Sequence, residues 1–268
     1  MTATTLSLTA RRPAAPRRRT SLVRLALLEL RLLVREPMVM VSLIGFPLAT
    51  VLVLAGVFGQ APDPDFGGVR PDDHYIAGYI GVVLAALGLL TLPVHLANHR
   101  ERGVLRRYRA AGVSGRTIVA SNVILGVVLS IVSASVVVIA GAAVYRLQAP
   151  EDPLTVMVAI AVGLVCFISI GVALGSVMPT SRAANAVGNL IFVPAFLLGG
   201  GGPPTAVMTG PMQTISEALP LTHVIGGIRQ GWFGETDDPH QLWWPLVIAA
   251  VSITIALRGA RRSGLAST

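Results

Sequence analysis

Long apolar runs alternate along the chain with short polar breaks, most of which carry arginine. The runs fall at about Met38–Gly59, Tyr75–Leu96, Thr117–Tyr145, Leu154–Met178, Ala183–Leu198 and Gln241–Leu257. A helix of about 20 apolar residues crosses the hydrocarbon core of a bilayer. The pattern therefore predicts an all-α polytopic membrane protein with six transmembrane helices. The fifth run is short and ends in Gly199-Gly200-Gly201-Gly202-Pro203-Pro204, which cannot continue a helix.

Two further segments are apolar without being spans. In Leu22–Glu36, Arg24, Glu29, Arg31 and Arg35 interrupt the leucines. Each charge at mid-bilayer costs about 2.5–3.5 kcal/mol on insertion scales. Leu22, Leu25, Leu28, Leu32 and Leu33 recur at helical spacing, so the segment reads as an amphipathic helix along the cytoplasmic interface. Pro37 breaks the chain before the first span. Residues 1–20 read as a disordered basic tail and residues 21–268 as one transmembrane domain. The rival reading of Arg11–Arg19, a secretory or twin-arginine signal, lacks a clean short apolar core with a cleavage site behind it. Between Gly199 and His240, Val207-Met208 and Leu219–Ile228 are apolar but too short to span. They read as short re-entrant outer helices before the last span, with a loosely folded loop as the alternative.

Composition agrees with the pattern. Hydrophobic residues make up 53% and charged residues 13% of the 268, with a mean hydropathy of +0.71. Soluble domains carry roughly 25% charged residues, so a disordered chain and an ordinary cytosolic enzyme are both disfavoured. The net charge of +8 is distributed as a topology signal and not as a nucleic-acid surface. Eight arginines precede the first span, six lie between the second and third, one between the fourth and fifth, and three after the sixth. Only Arg70, Arg146 and Arg229 fall on the other side, together with most acidic residues. The positive-inside rule then places both termini in the cytoplasm. There is no lysine, so no P-loop can reach nucleotide phosphates, and any ATP chemistry belongs to a partner. The single cysteine, Cys166, reads as a packing thiol.

Four stretches resemble the permease subunits of type-2 ATP-binding-cassette (ABC) exporters, notably actinobacterial daunorubicin-resistance permeases. They are Arg35-Glu36-Pro37 with Phe46-Pro47 and Phe58-Gly59; Glu101-Arg102-Gly103-Val104-Leu105-Arg106-Arg107-Tyr108-Arg109-Ala110; Pro194–Pro204; and Leu219-Pro220-Leu221-Thr222-His223 followed by Arg229. The chain departs from the family at Gly112 and Val113, where proline is common, and in its glycine run. The resemblance implies a permease in the plasma membrane of a bacterium, paired with a second, identical or different permease. Two copies of a separate ABC ATPase would bind the ATP and Mg, with no cofactor in this chain. It also implies a cytoplasmic coupling helix and a hydrophobic or amphipathic cargo such as a drug, antibiotic or lipid-like compound.

Residues then take expected roles. Glu101, Gly103, Leu105, Arg106 and Tyr108 form an apolar anchor in a polar rim, the pattern of an interface hot spot, suited to docking on the ATPase. Helical spacing puts Glu101 near Leu105. Arg31, Arg35 and Glu36 offer a second contact, with lipid anchoring as the equal alternative. Pro220, Thr222, His223 and Arg229 belong to the outer re-entrant element, where Arg229 pairs with an external carboxylate, Glu217 being the candidate. Thr50, Asn185, Asn189 and Phe192 are guesses for a substrate path, against plain helix packing. His95 and His99 share a helix face, but no third ligand converges on them in sequence, which argues against a metal site. Gly171 and Gly175 fit a close helix approach. Two other classes compete: a stand-alone secondary carrier or channel, weakened because no carboxylate falls inside a span core, and an intramembrane enzyme, weakened because no histidine other than His95, near the edge of its span, lies in a span to act as base for Ser169 and Ser176.

Overall fold

The computed structural model describes residues 22–35, 41, 45–58, 60–110, 115–234 and 241–262. The expected basic tail, Glu36, Pro37, Gly112, Val113 and the first part of the first apolar run lie outside the described residues. Every regular element among those described is helical. In chain order the α-helices are α1 Leu22–Val34, α2 Phe46–Val57, α3 Pro71–Ala86, α4 Leu92–Glu101, α5 Val104–Ala110, α6 Gly115–Tyr145, α7 Pro153–Val177, α8 Ser181–Leu198, α9 Gly210–Ala218, α10 Pro220–Phe233 and α11 Trp243–Arg262. Among the described residues, four helical stretches are long and apolar enough to cross a membrane: Pro64–Glu101, Thr117–Tyr145, Pro153–Val177 and Ser181–Leu198. Phe46–Val57 and Trp243–Arg258, at the first and sixth apolar runs, are shorter apolar helices.

The helix starts follow local chemistry. Proline occupies the first positions of α3, α7 and α10, where its missing N–H costs nothing and its fixed φ suits the turn. Asp152 caps α7 by accepting from the Leu154 and Thr155 amides at 3.0 and 3.3 Å. Thr180 caps α8 by accepting from the Ala183 amide at 3.1 Å. At the other end of α8 the glycine run stops the helix after Leu198, and Gly200 takes φ +94°, a left-handed conformation that favours glycine.

The centre of the bundle is a column made of α3, a π-helical stretch Leu87–Thr91, and α4. It packs against α2, α6, α7, α8 and α10, and every residue from Pro71 to Ala85 is buried. Pro93 accounts for the π stretch. It has no N–H to offer the Leu89 carbonyl one turn back, and its ring would clash there in a regular helix, so the turn widens. The widened turn is packed by glycines from neighbours. A Cβ on Gly188 would meet the Leu89 carbonyl oxygen at 2.2 Å, and one on Gly171 would meet the Gly88 carbonyl oxygen at 2.3 Å. Gly175 closes the same seam against Leu96 and Pro93. The Gly171/Gly175 pair therefore does mark a close helix approach, onto the column. α10 and α11 pack on the length of α7, and α10 also reaches α3. Outside this core, Leu190, Leu154, Ile139, Met157 and Val53 are among the most exposed side chains, an apolar exterior suited to lipid.

α1 lies on α6, but its leucines divide between two faces. Leu25, Ala26 and Glu29 are buried, whereas Leu28 and Leu32 are about half exposed beside the exposed Arg31 and Arg35. Leu25 of the expected stripe thus turns to the bundle beside a carboxylate, while Leu28 and Leu32 stay on the outside. Glu29, one of the charges that excluded this segment as a span, is buried against protein.

Candidate functional site

The helix ends gather at two poles of the bundle. At the first, α4 ends at Glu101, and Arg102 and Gly103 turn the chain into the short helix α5. Gly103 adopts φ +68° with open space around its Cβ position, so the turn requires its backbone freedom and not its small size. This turn corrects one expectation: helical spacing does not run from Glu101 to Leu105, because the two belong to different helices. The side chains of Leu105 and Arg106 lie outside the described residues. Arg107 is exposed.

Two charged neighbours clamp this pole. Arg100 Nη1 donates to the carbonyls of Gly175, Ser176 and Met178 at 3.0, 2.6 and 3.3 Å. These carbonyls sit at the C-terminal end of α7, where oxygens lack helical partners and a cation suits the helix dipole. Glu101 Oε2 accepts from the backbone and side chain of Ser181 at 3.1 and 2.8 Å, at the N-terminus of α8, where a carboxylate suits the opposite dipole end. One arginine–glutamate step on α4 thereby holds the α7–α8 junction. Arg100 was missed by the sequence reading, which counted it only as a topology charge; its acceptors lie about 75 residues away. Tyr108 is half-buried. Burial first, and then the negative charge of Glu29, raise its phenol above the usual tyrosine range.

Glu29 has company. His95 Nε2 and His99 Nδ1 on α4 lie 3.7 and 4.0 Å from its two carboxylate oxygens. The expectation that no third ligand joins these histidines is therefore overturned by α1, which supplies one from 66 residues earlier in the chain.

At the second pole, α9 and α10 meet at Leu219, which closes the first helix and opens the second. Pro220 begins α10. Thr222 Oγ1 donates to the Ser216 carbonyl at 2.6 Å, Ser216 Oγ donates to the Leu198 carbonyl at 2.7 Å, and the His223 ring bonds the Glu217 carbonyl at 2.7 Å. These bonds tie the helical hairpin to the end of α8. α10 runs back into the bundle, carrying Arg229 into the core at 8% exposure. Its guanidinium donates to the carbonyls of His74 at 3.3 Å and Gly200 at 2.9 Å. Room for it comes from Gly78, where a Cβ would stand 2.6 Å from Arg229 Nη2. Glu217 and Arg229 both border a cavity of about 420 Å³, along with Asp65, His74, Thr205 and Gln241. Nearby, Asp72 and Asp73 lie buried in the first turn of α3, and Arg70 pairs with both while donating to the Tyr145 carbonyl at 3.1 Å.

Residues 20–233 match the family model described as ABC-2 type transporter. The chain belongs to that family. No curated protein matches it.

As an ABC-2 membrane domain, the chain is a multi-pass membrane protein and the permease component of an ABC transporter, whose family works with an ABC ATPase. The stand-alone carrier and intramembrane-enzyme readings give way to this one. The hydroxyls that the enzyme reading needed are engaged within their own helix: Ser169 with the Cys166 carbonyl and Ser176 with the Ala173 carbonyl. The guessed path residues of the permease are not alike. Thr50 donates to the Phe46 carbonyl at 2.8 Å, and Phe192 is buried and stacked on Phe196. Asn185 and Asn189 are exposed on α8 and bonded to each other at 2.7 Å.

Proposed function

We propose that the chain is the membrane half of a bacterial ATP-driven exporter that moves hydrophobic or amphipathic compounds across the plasma membrane. It has six spans with both termini in the cytoplasm, the first and sixth built on α2 and α11. The arginine distribution supports this orientation. Two permeases associate with two ATPase subunits, which bind the ATP and Mg. The exposed apolar face of α8 supports the pairing. Asn185 and Asn189 on that face are poor company for lipid but suit a second permease or an amphipathic cargo.

The observation that carries the proposal is the Arg100–Glu101 clamp beside α5. A push on α5 reaches α4 through the Gly103 turn, and α4 holds both the end of α7 and the start of α8. Arg107 on the exposed side and the neighbouring Leu105, Arg106 and Tyr108 are then the contact for the ATPase, while Arg31, Arg35 and Glu36 flank it. The outer hairpin with Pro220, Thr222, His223 and Arg229 closes the opposite end of the path. The test is affinity capture of the partner ATPase with Arg107→Glu. The residue is exposed, so expression should persist while captured ATPase falls at least tenfold and resistance to exported compound is lost. Normal capture and normal export would show that α5 is only a topology determinant.

A further inference from the structure

Four buried side-chain atoms of the Glu29–His95–His99 cluster lack hydrogen-bond partners. The Glu29 side chain is 1% exposed, and neither of its oxygens has a hydrogen-bond partner. The same is true of His95 Nε2 and His99 Nδ1, which point at those oxygens. The two imidazole rings lie 4.2 Å apart, centroid to centroid, on one face of α4. A buried carboxylate left in this condition is costly.

Direct hydrogen bonding does not resolve it. The separations of 3.7 and 4.0 Å exceed hydrogen-bond length. They lie close to the spacing of two ligands around a tetrahedral metal, about 3.4 Å for metal–ligand distances near 2.1 Å. One ligand atom from each of the three residues lies within 4.8 Å of the other two. Small side-chain rotations therefore converge all three on one ion. Two imidazoles with one carboxylate favour zinc-class cations, whereas calcium and magnesium prefer oxygen-only shells. Three protein ligands leave one coordination position for water.

We propose that Glu29, His95 and His99 bind one divalent transition cation of the zinc class, which fastens α1 to the column at the pole where α5 begins. The ion neutralises the buried carboxylate and cross-links two segments far apart in sequence. Because the charge of Glu29 also reaches Tyr108, occupancy of the site changes the electrostatic setting of α5.

The test uses the full-length permease in detergent micelles, carrying a purification tag without histidine and stripped with a chelator. Cobalt(II) added alone should give the visible absorption of a nitrogen–oxygen site, saturating at one equivalent per chain and displaced by zinc. Glu29→Gln and His99→Gln should each weaken binding tenfold or more, and His223→Gln should leave it unchanged. X-ray absorption of the zinc-loaded wild type needs no variant to fold and should count two imidazole ligands. Absence of a saturable cobalt site would overturn the proposal. So would equal affinity in Glu29→Gln, or bound zinc with fewer than two imidazoles.

Discussion

The two poles of this permease solve the same problem with opposite means. At the pole of α4 and α5, charged side chains at or near the surface serve helix ends: Arg100 takes three terminal carbonyls of α7 and Glu101 takes the first amide of α8. At the pole of α9 and α10, the cation is carried into the core, where Arg229 meets the His74 and Gly200 carbonyls in space that Gly78 leaves free. The first arrangement lies at or near the surface, with the Arg100 bonds part-buried and the Glu101 bonds exposed. The second is mostly buried and packed against Gly78, so Arg229 cannot shift without breaking its bonds to the His74 and Gly200 carbonyls.

The sharpest way to break the comparison is to ask whether the poles face opposite compartments. In a Cys166→Ala background, Asp65→Cys should label fully in intact cells with an impermeant thiol reagent, and Arg107→Cys should label only after permeabilisation. Labelling of both in intact cells would remove the two-sided picture.

Next in size is Arg229→Ala. Hydrogen bonds to charged groups contribute about 1.5–3 kcal/mol, and carbonyls orphaned in the core add to the loss. A destabilisation of about 3 kcal/mol is expected, read as a lower thermal unfolding temperature in detergent. Gly78→Ala presses a methyl on the same guanidinium and should cost about 1–2 kcal/mol by overpacking. If Gly78→Ala is silent, Arg229 has another position available and the second pole is less rigid than described.

The surface pole should respond least in stability. Arg100→Ala removes a C-terminal cap from α7 and should cost about 1 kcal/mol. Glu101→Gln keeps a hydrogen-bond acceptor but loses the charge that suits the α8 dipole, so it should cost less than about 1 kcal/mol while export falls. A larger stability loss for Glu101→Gln than for Arg229→Ala would invert the comparison.

Much of the fold could be read from single residues. The third to sixth apolar runs reappear within a few residues as α6, α7, α8 and α11, because continuous hydrophobicity and flanking Pro, Asp, Thr and Gly are local signals. Leu219–Ile228 reappears as the cap and first turns of α10 for the same reason. Pro93 hinted at the π stretch and went unread, since a proline in an apolar run also fits a simple kink. The candidate site was less legible. Glu101 and Gly103 were singled out by motif, but the acceptance from Ser181 that gives Glu101 a structural task lies 80 positions along the chain.

What the sequence determined by itself is therefore the membrane character, the apolar helical runs, the asymmetry of arginine and the lack of a P-loop lysine. Each depends on residue type and spacing within about 20 positions, the reach of a helix in a bilayer. Only the tertiary structure decided that Glu29 meets His95 and His99, that Arg100 caps α7, and that Arg229 enters the core beside Gly78. Those contacts depend on how helices pack side by side. Packing of this kind turns on the shape of glycine seams and the direction of single carbonyls, which a pattern of apolar and polar positions does not encode.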